Sequence, residues 1–176
     1  MRSRWLFLVV LTTGVVLVDQ ITKALVAAHL PLNAEWAPIP DLAHLSAITY
    51  TTNTGAAFGI FPDSSVILLL IAVVVTGLIL HYYRTLPNEG GRLIRLALAL
   101  QLGGALGNLI DRVRLGHVVD FIHVKLWPVF NVADSCIVMG VVLLAGALVL
   151  EERRDRRQPR REDPPEDAPR PSPEAE

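Results

Sequence analysis

The sequence has one cysteine among 176 residues and a formal net charge of −1. The single cysteine, Cys136, excludes an intramolecular disulfide framework, and its apolar surroundings indicate a small buried side chain. A chain so close to neutral has no global attraction for nucleic acid, so no nucleic-acid partner is expected. Disulfide-stabilised scaffolds and basic nucleic-acid-binding proteins are therefore excluded as classes.

Charged residues are scarce in long parts of the chain. Hydrophobic residues make up 52% of it and the mean hydropathy is +0.44, which is too apolar for an ordinary soluble domain of this length. A helix of roughly 20 apolar residues crosses the hydrocarbon core of a bilayer. Four segments meet this requirement. The sequence therefore predicts an all-α membrane protein with four transmembrane helices, at about residues 5–26, 65–82, 93–110 and 132–150.

The first apolar run also has features of a cleavable signal peptide. Arg2 and Arg4 precede it, and small residues follow it. However, the run is longer than the apolar region of a usual signal peptide, and it contains Asp19 and Lys23. A first membrane helix is therefore the favoured interpretation.

Arginine is concentrated at one end of the predicted helices. Arg2 and Arg4 precede the first helix, further arginines flank the connection between the second and third, and six lie in the sequence EERRDRRQPRR after the fourth. Positive charge favours the cytoplasmic side, so both termini are predicted to be cytoplasmic. Residues 1–150 form the predicted membrane domain. Residues 151–176, with almost no apolar side chains, are predicted to be a disordered cytoplasmic tail.

The connections on the opposite, extracytoplasmic side are expected to contain some β-structure. The sequence LSAITYTT at 45–52 has the β-branched and aromatic residues typical of a strand, and turn residues follow it. Residues 117–126 form either a short strand or an extended segment leading to helix 4, for which Asn131 is a suitable N-cap. A small sheet is therefore expected between helices 1 and 2.

Polar side chains gather at this same end of the predicted helices. Asp19 and Lys23 are four residues apart, so an ordinary ion pair would explain them. Asp134 could simply complement the dipole of helix 4. Ionisable groups inside a membrane are costly and usually functional, so several of them at one end favour a site.

A pair of carboxylates is the chemistry that these residues favour. Two carboxylates in a partly dry site cannot both ionise easily, so one keeps a proton and the pair can activate water and protonate a leaving amine. Asp111, which lies beside Arg112 and one turn after Asn108, suits a fixed, ionised carboxylate. Asp120 lies between apolar residues and Asp134 begins an apolar helix. The residues therefore favour Asp120 and Asp134 as the pair.

Two further patterns have simpler explanations. His117, Asp120 and His123 lack the spacing of a HExxH zinc site and have no accompanying ligand cluster, so no metal is expected. Gly103 and Gly107 form a GxxxG motif, which is a common helix-packing device and could also let substrate approach the backbone closely.

Five motifs, taken together, resemble those of the bacterial lipoprotein signal peptidases, also called signal peptidase II. They are DQITK at 19–23, NTGAAF at 53–58, GGALGNLIDR at 103–112, VVDF at 118–121 and FNVAD at 130–134. The motifs occur in the order typical of the family and cover the chain from about residue 5 to 150.

The resemblance implies an aspartyl endopeptidase of the bacterial inner or cytoplasmic membrane, with four transmembrane helices and an extracytoplasmic β-cradle. Such an enzyme cleaves a prolipoprotein before a cysteine that bears a diacylglyceryl group, uses no cofactor, acts among membrane lipids and is inhibited by globomycin-type cyclic peptides. By position in the motifs, the catalytic pair falls on Asp120 and Asp134. The residues placed around the pair and the substrate are Asp19, Lys23, Asn53, Gly104, Asn108, Asp111, Arg112 and Asn131.

Two other functions are compatible with buried carboxylates in a membrane protein. A small proton-coupled transporter would use them as a proton relay, although a carrier usually spreads polar residues to the midplane or to both sides. A membrane assembly factor held together by its GxxxG face is a third interpretation. Nothing in the sequence requires an oligomer, so a monomer is expected.

Overall fold

Four long helices and a three-stranded sheet make up the computed structural model, which describes residues 2–55, 65–87 and 91–157. The helices are α1 (Arg2–His29), α2 (Ser65–Thr85), α3 (Arg92–Leu115) and α4 (Val132–Arg157). The strands are β1 (Glu35–Trp36), β2 (Ser46–Asn53) and β3 (Val118–Val124), and a 3-10 helix covers Pro40–Leu42. Residues 56–58 of the NTGAAF motif and residues 158–176 of the predicted tail lie outside the described residues.

All four helices are long and apolar enough to cross a membrane, which confirms the predicted fold class. Each extends beyond its predicted span. The largest difference is at α4, which continues past Leu150 to Arg157, so residues 151–157 are helical where the sequence predicted disorder. Glutamate and arginine are good helix formers, so a helix already nucleated in the membrane extends into the charged segment.

The helix α3 is the centre of the bundle and packs against the other three helices. Its small residues allow this. A side-chain carbon at Gly103 would come within 2.6 Å of Val15 in α1, and one at Gly104 would overlap the carbonyl oxygen of Ala133 in α4. The GxxxG segment is therefore a helix-packing surface. On the lipid-facing α4, Cys136 is only partly buried, less than the sequence predicted.

The sheet has the order β1-β2-β3, and all of its strands are antiparallel. The sequence predicted a sheet between helices 1 and 2. In the structure, β1 and β2 lie in that connection, but β3 comes from the connection between α3 and α4. The pairing places Thr51 opposite Asp120 and Asn53 opposite Val118. This pairing brings the end of β2 beside Asp120.

Candidate active site

Asp120 lies in β3 and is 2% exposed. Both of its carboxyl oxygens accept hydrogen bonds from side-chain amides: Oδ1 from Asn131 Nδ2 at 2.7 Å and Oδ2 from Asn53 Nδ2 at 2.9 Å. Asn53 is held in turn, because its own Oδ1 accepts from the backbone N–H of Gly55 at 3.0 Å. The sheet and the start of α4 therefore fix both oxygens of this carboxyl.

Burial changes the acidity of Asp120. Loss of water around the carboxyl is the largest cause, and the negative charge of Asp134 adds to it, so the pKa of Asp120 rises from 3.8 to about 6. The amides of Asn53 and Asn131 and the ammonium of Lys23 oppose this rise but do not cancel it. Asp120 therefore keeps its proton over a pH range in which an exposed aspartate has lost it.

Asn131 connects Asp120 with Asp134. Its Oδ1 accepts the N–H of Asp134 at 2.9 Å, and its own N–H donates to Asp134 Oδ2 at 3.3 Å. This reciprocal pair is the N-terminal cap that the sequence predicted for α4. The remaining group, Nδ2, donates to Asp120. One fully buried asparagine therefore sets the position of one aspartate relative to the other.

The second oxygen of Asp134 is held by α3. Asn108 Nδ2 donates to Asp134 Oδ1 at 2.7 Å, while Asn108 Oδ1 accepts from Lys23 Nζ at 3.0 Å and Asn131 Nδ2 at 3.1 Å. The acceptor oxygen of Asn108 is thus occupied by two donors, which fixes which end of its amide points at Asp134.

A buried ionic cluster lies behind the two aspartates. Lys23 Nζ is 2.8 Å from Asp19 Oδ2 and 2.9 Å from Asp111 Oδ2, and Lys23 is 3% exposed. The predicted ion pair of Asp19 with Lys23 is confirmed. With Asn108 as a third acceptor, all three N–H groups of the ammonium have partners, so Lys23 has none left for a substrate. Lys23 is therefore a member of the buried ionic cluster.

The two carboxylates of this cluster, Asp19 and Asp111, accept hydrogen bonds from the backbone N–H groups that directly precede the candidate catalytic residues. Asp111 Oδ2 accepts the N–H of Val119 at 3.2 Å, and Asp19 Oδ1 accepts the N–H of Ala133 at 2.9 Å. Val119 directly precedes Asp120, and Ala133 directly precedes Asp134. The cluster therefore ties β3 and α4 to one buried cation.

Gln20 is part of this arrangement, and the sequence reasoning missed its role. Its Nε2 donates to Asp111 Oδ1 at 2.8 Å and to the carbonyl of Gly107 at 3.2 Å. The signal that could have identified it is its place beside Asp19 in the last turns of α1, where a neutral amide can join two carboxylate-bearing helices.

A cavity of about 700 Å³ opens beside the two aspartates. Its polar lining includes Asn53, Asn108, Arg112, Asp120 and Asp134. Its apolar lining includes Trp127, Phe130, Ile137 and Val138. Val138 is also 61% exposed on the outer surface of α4, so the apolar lining reaches the membrane-facing side of the bundle at this residue.

The ten residues expected at the site lie in one region, some lining the cavity and the others buried beside it. Five of them line the cavity: Asn53, Asn108, Arg112, Asp120 and Asp134. The others lie behind it: Asp19, Lys23, Gly104, Asp111 and Asn131. Arg112 donates to the carbonyl of Asn108 at 3.4 Å, and its Nε has no hydrogen-bond partner among the described residues. Among those same residues, no group of three or more His, Cys, Asp or Glu side chains has the arrangement of a metal site.

Known proteins similar to this chain are found both by sequence and by structure. The family profile described as signal peptidase (SPase) II matches residues 11–150. A lipoprotein signal peptidase of Moorella thermoacetica is 43% identical over 144 residues, covering 82% of this chain and 93% of the relative. One of Geobacter sulfurreducens is 46% identical over 148 residues, covering 80% and 90%.

Two solved structures, each described as a bacterial membrane enzyme, share the fold. One has a TM-score of 0.78 at 30% identity and covers 88% of this chain and 93% of that one. The other has a TM-score of 0.72 at 32% identity, with coverage of 81% and 92%. The residues matched by the family profile, 11–150, include most of the four helices and all three strands, and the chain belongs to the signal peptidase II family.

Proposed function

We propose that this chain is an aspartyl endopeptidase that removes the signal peptide from prolipoproteins whose cysteine carries a diacylglyceryl group. Members of its family are peptidases, and relatives are named lipoprotein signal peptidases. The observation that carries the proposal is the pair of carboxyls, Asp120 and Asp134, which line one cavity and are bridged by Asn131.

The two carboxyls have different surroundings and so take different roles. We assign the shared proton to Asp120, whose pKa is raised to about 6 by burial and by the charge of Asp134. Asp134 is the base: it accepts a proton from water, whose oxygen attacks the scissile carbonyl carbon, while Asp120 donates its proton to the carbonyl oxygen. As the tetrahedral intermediate collapses, the C–N bond breaks and one hydroxyl of the intermediate returns its proton to Asp120 while the carboxyl product forms. The proton taken up by Asp134 passes to the leaving amine, which is the amino group of the lipid-bearing cysteine.

The shape of the cavity supports a substrate that arrives from the bilayer. Its lining combines polar side chains with apolar ones, and the lining residue Val138 is exposed on α4, as is Val142 one turn later. Acyl chains attached to the cysteine can therefore remain in lipid while the peptide bond reaches the aspartates. Arg112 lines the same cavity and is available to hold a carbonyl of the peptide or of the lipid ester. Globomycin-type cyclic peptides are expected to occupy this space.

The test is cleavage of a diacylglyceryl-modified prolipoprotein by the purified protein and by Asp120→Asn and Asp134→Asn. Each substitution keeps the size of the side chain but removes an ionisable group, so we expect turnover to fall by at least about a thousandfold. Asp41→Asn is the matched control, because Asp41 is exposed in the 3-10 helix, and it should retain full activity.

Full turnover in either variant would remove that aspartate from the mechanism. Both variants should still bind a globomycin-type ligand, which separates loss of chemistry from loss of fold. Absence of cleavage by the unaltered protein, together with proton-coupled uptake of a solute, would favour the carrier interpretation instead.

A further inference from the structure

Tyr83 is a fully buried residue in the last turn of α2, at the end of the bundle away from the cavity. Its hydroxyl donates a hydrogen bond to the carbonyl of Arg4 at 2.6 Å, and its ring lies 5.3 Å from that of Trp5. These contacts hold the first turn of α1 against the last turn of α2. The backbone at Arg4 is therefore fixed beside the end of α2.

The side chain of Arg4 makes only part of the contacts that a guanidinium can make. Its Nη1 donates to the carbonyl of Leu86 at 2.9 Å, and the guanidinium lies 5.9 Å from the centre of the Trp5 ring. Its Nε has no hydrogen-bond partner among the described residues, and no carboxylate among them forms an ion pair with Arg4. A guanidinium has five N–H donors and is always charged. The described residues therefore leave this half-buried cation without an anion.

A second guanidinium approaches the same hydroxyl from α3. Arg95 lies in the first turn of α3, and its neighbour Ile94 belongs to the buried cluster that contains Tyr83. Arg95 and Arg4 are both close enough to the Tyr83 hydroxyl to act on it electrostatically. Two arginines from different helices therefore flank the point at which α1, α2 and α3 meet.

The helix ends around this point are positively charged. Residues 2–10, 78–87 and 91–98 are all described, and they contain no Asp or Glu and five arginines, which are Arg2, Arg4, Arg84, Arg92 and Arg95. Glu89, in the connection between α2 and α3, lies outside the described residues. Like charges that lie close together repel one another, so an anion between them is stabilised.

A phospholipid in the adjacent leaflet has the chemistry that this point favours. Phosphate oxygens accept bidentate hydrogen bonds from guanidinium groups, and basic pockets between transmembrane helices bind anionic head groups. On α1, the apolar side chains of Leu6 and Phe7 follow Arg4 and are 63% and 44% exposed, so acyl chains have an apolar surface next to the arginine. An anionic head group suits the excess of arginine better than a zwitterionic one, which carries its own cation.

We infer that Arg4 and Arg95 bind the phosphate of an anionic phospholipid, such as phosphatidylglycerol, beside Tyr83 where the ends of α1, α2 and α3 meet. The bound phosphate neutralises Arg4 and joins α1 to α3 across the end of α2. The site lies at the opposite end of the bundle from Asp120 and Asp134, so it is independent of the proposed function. A free phosphate ion has the same chemistry, and the test separates the two sources.

Lipid binding is measured on the purified full chain in detergent, by native mass spectrometry and by thermal unfolding. We expect phosphatidylglycerol to bind saturably and to raise the unfolding temperature, whereas phosphatidylcholine with the same acyl chains should bind more weakly and stabilise less. Equal effects of the two lipids would overturn the inference. If inorganic phosphate alone gave the full rise in unfolding temperature, the site would bind a free anion and the assignment to a lipid would be wrong.

Substitutions of single arginines locate the site. Arg4→Gln removes the charge but keeps an amide that can donate to Leu86, and we expect the affinity for phosphatidylglycerol to fall about fivefold or more. Arg95→Gln should cause a fall of the same order. Arg2→Gln is the matched control, because Arg2 is exposed in the same turn of α1, and it should keep the affinity of the unaltered protein.

Two results with these variants would overturn the site. Unchanged affinity in both Arg4→Gln and Arg95→Gln would show that the phosphate binds elsewhere. Equal losses in Arg2→Gln and Arg4→Gln would show a diffuse attraction to positive charge instead of a defined pocket. A cooperative unfolding transition without added lipid shows that each variant is folded. These readouts need no substrate, so they can succeed even if cleavage fails, and cleavage can succeed even if they fail.

Discussion

At the scale of single residues, the burial of Asp120 makes its protonation part of the stability of the protein. Its folded pKa of about 6 lies above the 3.8 of a solvated carboxyl, so the folded state favours the neutral form. The resulting stabilisation is fully present below 3.8 and is lost as the pH rises through about 6. A shift of this size corresponds to about 3 kcal/mol of unfolding free energy.

Asp120→Asn should therefore remove part of the pH dependence of unfolding. Asparagine does not titrate, so we expect the variant to lose less stability than the unaltered protein between about pH 4 and about pH 8. Thermal unfolding in detergent across this range measures the difference in slope. Asp41→Asn, at an exposed position, should keep the slope of the unaltered protein. Equal slopes in all three proteins would contradict the raised pKa.

Asn131 and Asp120 could be predicted as candidate site residues because each has a recognisable local sequence context. Asn131 precedes an apolar helix at the N-cap position, and Asp120 lies between valine and phenylalanine in a strand. Their partners were not predictable in the same way. The contacts of Asp19 with Ala133 and of Asp111 with Val119 depend on how closely the helices and the third strand pack, which no short window of sequence contains.

At the scale of elements, Lys23 joins α1 to α3 and, through its two carboxylate partners, to the starts of β3 and α4. Lys23→Met should leave Asp19 and Asp111 buried beside one another without a cation. Breaking a buried ion pair in this way typically costs about 3–5 kcal/mol. We expect a correspondingly large fall in the unfolding temperature of the purified protein.

The matched control for this prediction is Lys125→Met. Lys125 pairs with Glu35 at 3.2 Å on the exposed face of the sheet, where an ion pair contributes at most about 1 kcal/mol. Adding Asp111→Asn to Lys23→Met should recover part of the lost stability, because it removes one of the two buried carboxylate charges that no longer have a cation beside them. Similar losses in Lys23→Met and Lys125→Met would show that the buried cluster does not hold the elements together.

The elements themselves differ in how far the sequence determines them. The length of the apolar runs was enough to predict the four helices, because each run is long enough to cross a membrane as a helix. β3 was left open between a strand and an extended segment, because its residues become a strand only by pairing with β2, more than sixty residues earlier in the chain. The two-residue β1 has no periodicity to detect and exists only through its pairing with Thr49 and Ile48.

At the scale of the whole molecule, the four described spans place the start of α1 and the end of α4 at the end of the bundle away from the cavity. Arg2, Arg84, Arg92, Arg153 and Arg154 lie at that end, and such charges favour the cytoplasmic side. We therefore expect the cavity to face the extracytoplasmic side, even though Arg114 and Lys125 lie at its end of the bundle. Lys125 is neutralised locally by Glu35, which weakens its effect on orientation.

Labelling of single cysteines in intact cells measures this orientation in the full chain. In a Cys136→Ala background, Ser46→Cys introduces an exposed thiol at the start of β2 and Ser3→Cys introduces one near the start of α1. A membrane-impermeant maleimide should label the first in intact cells and the second only after the membrane is opened. The reverse pattern would place the cavity in the cytoplasm. A substrate whose lipid-bearing cysteine lies at the outer leaflet could not then reach Asp120 and Asp134, so the same result would contradict the proposed function as well as the orientation.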